Sequence, residues 1–432
     1  MLSFLLNKNI YMLYNKNESE DYMKELQEKY AKVLLESCLK LDKNQPLFIT
    51  YNSEREDFVK ILSEVAKSLG ITDIYYDSQD PYKKHEALQE LEVDELKKIP
   101  YWNKSIWNEY AKKNAAFLML SSENPGLMKD INQNKITEMA KYSLETRKEF
   151  DNLRDKQELA WCIACVPTKD WAKVLYPKES NPEEKLWDII FDICKIKEDN
   201  PVEIWNNKIK KLNERANKLN SYQFKTLKYK SSNGTNFQVD LPKNHLWASG
   251  RSVLKNNKEV LVNYPTEEVF TSPDCLSANG ILYSSKPLSY QDVLIDNFSI
   301  SFKDGKVVDC KAEKGEETLK NMINICENSN MIGEVALVPY DSPISNTNQI
   351  FLETLFDENA ACHVALGDSF TECIENGINR TKDELFNEYH LNKCDSHVDF
   401  MVGNKDLNIT GITHDNKEIP ILVNGNFTEE FN

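Results

Sequence analysis

Apolar residues recur at helical spacing through residues 22–41, with Leu26, Tyr30, Val33, Leu34 and Leu41 marking the stripe. A short apolar run at 46–51 predicts a buried strand. Helical spacing returns over 56–69 and stops at Gly70, a C-cap position. The pattern then predicts a strand at 71–77 and a helix at 88–99 ended by Pro100. A strand at 115–120, a turn at Glu123-Asn124-Pro125-Gly126, a long polar helix at 133–153 and a strand at 160–166 follow. Alternating strand and helix is the signature of a mostly parallel sheet with covered faces.

Asn181-Pro182-Glu183-Glu184 opens a further helix, with a capping side chain, proline in the first turn and acids at the positive end of the dipole. Residues 201–219 form an amphipathic helix carrying Trp205, Ile209, Leu212 and Leu219. From Gln223 the texture changes. Residues 224–229 and 236–241 alternate around a hairpin signal at Asn233-Gly234, and strands are expected at 259–263, 293–302 and 306–310, the last two joined at Asp304-Gly305. A single core rarely grows beyond about 250–300 residues, so 432 residues predict two domains. The expected fold class is an α/β N-terminal domain with a mostly parallel sheet, 22–220, whose last helices form the junction. A strand-rich α+β C-terminal domain, 221–432, carries the candidate metal site. No Gly/Ser linker separates them, so they are expected to pack together. Residues 1–21 read as an unstructured extension, or as the product of a start codon placed too early; Leu2-Ser3-Phe4-Leu5-Leu6 is too short for a signal peptide and has no basic flank.

Composition narrows the partners. A net charge of −16 argues against nucleic acid and against an anionic membrane surface, and no stretch approaches the roughly eighteen apolar residues of a membrane helix. The ten cysteines are scattered without a disulfide framework and suit a reducing cytoplasm. Cys162-Ile163-Ala164-Cys165, a lone CxxC between apolar flanks, reads as small buried residues in a strand rather than a redox or zinc motif. Neither GxGxxG nor GxxxxGK[ST] occurs, which removes the common nucleotide sites.

The chemistry concentrates between Met331 and Gly403. Gly333-Glu334-Val335, the run from Leu355 to His363, and His397-Val398-Asp399 each place a carboxylate, an imidazole or both inside an apolar run. A buried charge loses several kcal/mol of hydration unless it is paired, and three such insertions point to a shared counter-ion, most simply a divalent metal. His397 and Asp399 are two apart in a strand-like segment and so face the same side. Glu358 and His363 are five apart, about 140° around a helix, so the chain must leave the helix between them if both bind one site. Carboxylates with few imidazoles suit Zn²⁺, Mn²⁺, Co²⁺ or Mg²⁺, and fit a two-metal site in which a carboxylate bridges the ions. Of the other histidines, His85, His390 and His414 read as surface residues. His245 reads as a structural hydrogen-bonding residue, with substrate contact as the alternative. Glu353 and Glu372 read as exposed charges.

Three segments resemble a known family. Residues 333–339 (GEVALVP), 355–367 (LFDENAACHVALG) and 397–403 (HVDFMVG) are similar to motifs of the thermophilic-type metallo-aminopeptidases, which include aminopeptidases T and S. Residues 267–273 (EEVFTSP), 161–177, 184–187 and 199–205 extend the likeness, which runs from about Tyr22 to the C-terminus. The resemblance implies a two-metal exopeptidase that removes N-terminal residues from peptides with a free N-terminus, a homodimer, and two divalent ions, zinc, cobalt, manganese or magnesium. It implies Glu334 as a bridge, Glu268, His397 and Asp399 on one ion, and Glu358 and His363 on the other. Phe370 departs from the family, which carries a tyrosine implicated in catalysis seven residues after the motif histidine. Phenylalanine neither coordinates nor donates a hydrogen bond. The alternative is therefore a catalytically impaired member that acts as a peptide-binding or structural protein.

Overall fold

The computed structural model describes residues 20–122, 124–291 and 293–432. The extension expected at 1–21 lies almost wholly outside them.

The first half builds a five-stranded parallel sheet in the order Asn263–Tyr264, Trp161–Cys165, Ala116–Ser121, Leu47–Asn52, Ile74–Gln79. Four strands come from the predicted α/β half. The fifth, Asn263–Tyr264, arrives from the later half and pairs with Ile163 and Ala164. The residues expected as one strand at 259–263 are thus divided: Glu259–Leu261 pairs with Arg251–Val253, and the chain then turns into the parallel sheet. Cys162 and Cys165 are buried in their strand, as the apolar flanks required. The apolar core of this sheet takes in Phe351, Leu355, Phe356 and Ala360 from the segment that carries Glu358.

Two predicted helices are interrupted, each for a local reason. The segment 133–153 breaks at Arg147 into Gln133–Thr146 and Lys148–Asp155. Asn108 holds the break open: its Nδ2 donates to Thr146 O (2.8 Å) and its Oδ1 accepts from Phe150 N–H (3.0 Å), satisfying groups the helix no longer pairs. In place of 88–99, a helix Pro81–Glu90 starts on the Asp80 cap, and Glu92 begins a separate short turn, Val93–Leu96.

The second half holds a nine-stranded antiparallel sheet and a five-stranded antiparallel sheet. The latter runs His397–Met401, His363–Gly367, Ile332–Leu337, Val269–Thr271, Ala248–Ser249. Val335, Leu337, Val364, Leu366 and Phe400 turn one face of it into a shared apolar core. Period-2 alternation therefore sends Glu334, His363, Ala365, His397, Asp399 and Met401 to the opposite face. Four of the six predicted ligands lie on one face of one sheet because of that alternation alone.

Candidate metal centre

Directly paired residues of antiparallel strands face the same side. Glu334 pairs with Ala365, and Ala365 pairs with Asp399, so the two carboxylates flank an alanine in one row of the sheet. The next row holds Phe270, Ala336, His363 and Met401. The small residues between the acids and imidazoles leave space above the sheet. The strand carrying Glu334 shifts register between Ile332 and Glu334. Gly333 permits it, since a Cβ there would lie 2.1 Å from Asp368 O. Such bulges commonly re-aim a side chain next to a site.

Helix Thr354–Glu358 brings in Glu358 and ends on it, and strand His363–Gly367 begins five residues later. The chain leaves the helix between Glu358 and His363, as their spacing demands. Glu268 precedes strand Val269–Thr271 and is buried. Its neighbour Glu267 is turned away: the carboxylate pairs with Lys208 Nζ, and the backbone N–H donates to Asn359 Oδ1 (2.9 Å).

Both imidazoles have a fixed tautomer. His363 Nδ1 lies 3.1 Å from Ala361 O and His397 Nδ1 lies 2.8 Å from Asp368 O. A carbonyl only accepts, so each Nδ1 carries the hydrogen and each Nε2 is turned to the carboxylates. His363 Nε2 is 3.3 Å from Glu268 Oε2. His397 Nε2 is 3.2 Å from Glu334 Oε2 and 3.4 Å from Asp399 Oδ1.

The donors form two trios. In each, one ligand atom per residue lies within 4.8 Å of the others: Glu268, Glu334 and His363 make one, and Glu334, His397 and Asp399 the other. Glu334 belongs to both. Glu358 stands outside both trios but lines the same 410 Å³ cavity, and its first electrostatic neighbour is Asp399. The trios group Glu268 with His363, where the family motifs imply Glu268 beside His397 and Asp399.

Burial pushes the Glu334 carboxyl up to about 7, against the pull of His397. Burial, then the charges of Asp399 and Glu268, raises Glu358 well above the carboxylate range. Burial would also raise Asp399, but His397 outweighs it and holds Asp399 at about 2. Burial would lower both imidazoles. Glu268 raises His363 instead, and Asp399 followed by Glu334 raises His397. Four carboxyl groups thus share two imidazoles. Asp399 Oδ1 is buried and has no hydrogen-bond partner among the described residues. An orphaned carboxylate oxygen beside a shared carboxylate and two imidazole Nε2 atoms, which would give up their protons to a metal, is a donor set that fits divalent cations.

The family model described as Thermophilic metalloprotease (M29) matches residues 23–427. The chain belongs to this family. It is 37% identical to aminopeptidase AmpS of Bacillus subtilis over 91% of this chain and 96% of that protein. It is 31% identical to aminopeptidase T of Thermus thermophilus over 90% and 94%. The solved structure of wild-type AmpT from Thermus thermophilus superposes with a TM-score of 0.87 at 29% identity, covering 94% of this chain and 99% of that one. The expected fold class holds: a parallel sheet with helices in the N-terminal half and a strand-rich second half.

Some readings of single residues need correction. Glu353 is buried, not exposed. Ser121 Oγ (2.9 Å) and the Phe356 N–H (3.1 Å) donate to its carboxylate, which offsets the lost hydration. Glu372 lines the metal-site cavity. His245 is buried away from that cavity, with Nδ1 3.0 Å from Pro242 O, so the structural reading holds. The pattern also missed Arg154, which reaches the cavity from helix Lys148–Asp155. It missed the carbonyl of Asp368 that orients His397. No local signal marks Arg154; Asp368 follows the LFDENAACHVALG motif directly.

Proposed function

We propose that this chain is a metal-dependent aminopeptidase that hydrolyses the first peptide bond of substrates with a free N-terminus. The observation that carries the reading is the pair of donor trios sharing Glu334. Glu268, Glu334 and His363 would hold one divalent ion, and Glu334, His397 and Asp399 the second, with Glu358 added on the Asp399 side. Bound there, two ions would polarise the scissile carbonyl and lower the pKa of a shared water towards neutrality. The chain's own part is positioning. Asp368 and Ala361 fix the imidazoles, and Ala365 keeps the space between the acids clear. Burial of Glu268, Glu334 and His363 strengthens the charge interactions among them.

Nothing in the comparisons supports a purely binding role. Phe370 packs on Phe270 (5.2 Å between ring centroids) and on the His397 ring (5.1 Å), so it acts as a wall of the site. Zinc, cobalt, manganese and magnesium all suit the donors. A homodimer and a cytoplasmic location complete the proposal; all ten cysteines are free thiols, as a reducing compartment requires.

The test is turnover of free-amine aminoacyl substrates by metal-stripped protein with each ion added back, beside N-blocked peptides. Metal-restored release of N-terminal residues is expected. Cleavage of blocked peptides at equal rates would overturn the exopeptidase reading, and absence of turnover with every ion would overturn the enzyme.

A further inference from the structure

The cysteines carry a chemistry that the metal centre does not use. Eight of the ten are buried, and Cys310 and Cys326 are half-buried. Cys326 has a second sulfur beside it: its Sγ lies 3.2 Å from that of Cys394, 68 residues along the chain. Neither residue belongs to a helix or a strand. Cys326 sits in the turns that follow helix Glu316–Ile323, and Cys394 in the irregular segment ahead of strand His397–Met401. A disulfide places its sulfurs about 2.05 Å apart, so the pair must close by about 1 Å. Side-chain rotation and loop backbone supply that movement without unpairing a sheet. The two thiols differ in environment. Cys394 is 7% exposed, and burial followed by its contact with Cys326 pushes its thiol up to about 12. Solvent reaches Cys326.

The Cys394 segment is tied to the metal centre through Asp368. The Cys394 N–H donates to Asp368 Oδ1 (3.2 Å), and the Asp368 N–H donates to Ser396 O (2.7 Å). The Asp368 carbonyl in turn accepts from His397 Nδ1 (2.8 Å). The Cys326 loop is stitched to the same segment. Asn328 Nδ2 donates to Lys393 O (3.2 Å), and Asn392 Nδ2 donates to Asn328 O (3.0 Å) and Gly367 O (2.6 Å). One residue, Asp368, therefore stands between Cys394 and an imidazole that faces the carboxylates. Partners at this remove orient a ligand and tune the metal it holds.

We propose that Cys326 and Cys394 form a dithiol site for hydroperoxides, and that its oxidation to a disulfide loosens the metal ion held by His397. The Cys326 thiolate attacks one peroxide oxygen and the O–O bond breaks. The departing hydroxide takes up the thiol proton as water, and Cys326 becomes a sulfenic acid. The Cys394 sulfur then attacks the Cys326 sulfur. The S–O bond breaks, the Cys394 proton leaves with the hydroxyl as a second water, and the S–S bond forms. The two sulfurs give up two electrons, and the peroxide takes both. The new bond draws Cys394 towards Cys326, Asp368 follows its hydrogen bond to the Cys394 N–H, and its carbonyl turns away from His397 Nδ1. Thiol pairs of this kind in a reducing compartment form transient, sensing disulfides rather than structural ones. The loosening rests on the metal-centre reading; the disulfide does not.

The test uses reduced, zinc-loaded, full-length protein treated with a slight excess of hydrogen peroxide. Two of the ten thiols should be lost, and non-reducing peptide mapping should join the segments that hold Cys326 and Cys394. Affinity for zinc, read by competition with a chelator, should fall about tenfold and return when dithiothreitol is added. Cys326→Ser and Cys394→Ala should match the wild type in zinc affinity when reduced and should lose no zinc to peroxide. Cys326→Ser changes a half-buried residue in a turn, so it remains informative if Cys394→Ala fails to fold. Absence of the Cys326–Cys394 link would overturn the dithiol site. A complete link with unchanged zinc affinity would overturn the coupling to His397, and so would a loss of zinc that persists in Cys326→Ser. Neither thiol loss nor zinc affinity needs turnover, so an inert protein that shows both effects would remove the aminopeptidase reading and leave the dithiol standing.

Discussion

Glu334 and Asp399 occupy one row of the antiparallel sheet, two strands apart, with Ala365 paired to each. Both carboxylates reach over a methyl group into the same space. Ala365 is fully buried, so a larger side chain there has no room to turn aside. Ala365→Leu should overpack the row, cost about 1–3 kcal/mol of stability, and lower metal content before it lowers fold content. Metal analysis beside a melting curve checks it. Full metal occupancy in a folded Ala365→Leu protein would show that the space over the alanine is not where the cations sit.

Sharing makes Glu334 more consequential than any other donor. Glu334→Gln keeps the size of the side chain but removes the charge from both trios at once. Turnover should fall by about a thousandfold or more, and bound metal should fall with it. Turnover within a few-fold of wild type, in protein supplied with excess metal, would rule out the shared role.

Glu267 and Glu268 are adjacent acids with separate work. Glu268 lies 3.3 Å from His363, whereas Glu267 pairs with Lys208 and its backbone is held by Asn359. Glu268→Gln should therefore weaken metal binding with little change in melting temperature once metal is removed. Glu267→Gln should do the reverse, lowering the melting temperature because Lys208 loses its partner, while metal content stays near normal. The same loss of metal from both substitutions would show that the pair works as one unit.

How far these roles were legible in the sequence depended on their range. Glu334 stood out because a charge inside Ile332-Gly333-Glu334-Val335-Ala336 needs a partner, and the period-2 reading of His397 and Asp399 survives in the strand. Glu358 and His363 could not be paired from their spacing; the family resemblance paired them, and the helix does end between them. Their grouping was not legible, because the side on which Glu268 falls depends on the pairing of Phe270 with Ala336, 66 residues away. Glu353 and Glu372 looked exposed because the donors and walls around them come from distant segments, such as Ser121 in the first sheet. The alternation of strand and helix revealed the parallel sheet, but not that Asn263–Tyr264 would close its edge.

His245 gives the fold a pH dependence separate from the metal centre. It is 1% exposed, Nδ1 donates to Pro242 O, and Nε2 has no partner among the described residues. Burial lowers its pKa to about 4, so its proton binds more readily in the unfolded chain, near 6.5. Stability from this group is therefore intact above about pH 6.5 and is lost as pH falls towards 4, by about 3 kcal/mol in total. His245→Gln should remove that component. Comparing melting temperatures of the two proteins between pH 7 and pH 4.5 isolates it from the carboxylates, which both share. Parallel curves over that range would mean that His245 titrates normally.

Phe370 bears on the rate rather than on the metal. Its ring packs against His397 and Phe270, and its N–H donates to Ser272 Oγ (2.9 Å), so the backbone is already fixed where the family carries a tyrosine. Phe370→Tyr adds a hydroxyl at a cavity wall without asking the chain to move. An added donor acts on kcat more than on KM if it meets charge that develops during the reaction. The wild type should be active, and Phe370→Tyr should raise kcat with metal content unchanged. An inert wild type that gains peptidase activity with the tyrosine would mean that this chain carries the fold and the cation site without the chemistry. An active wild type whose kcat is unchanged by the hydroxyl would mean that another group on the cavity wall already fills the tyrosine's role.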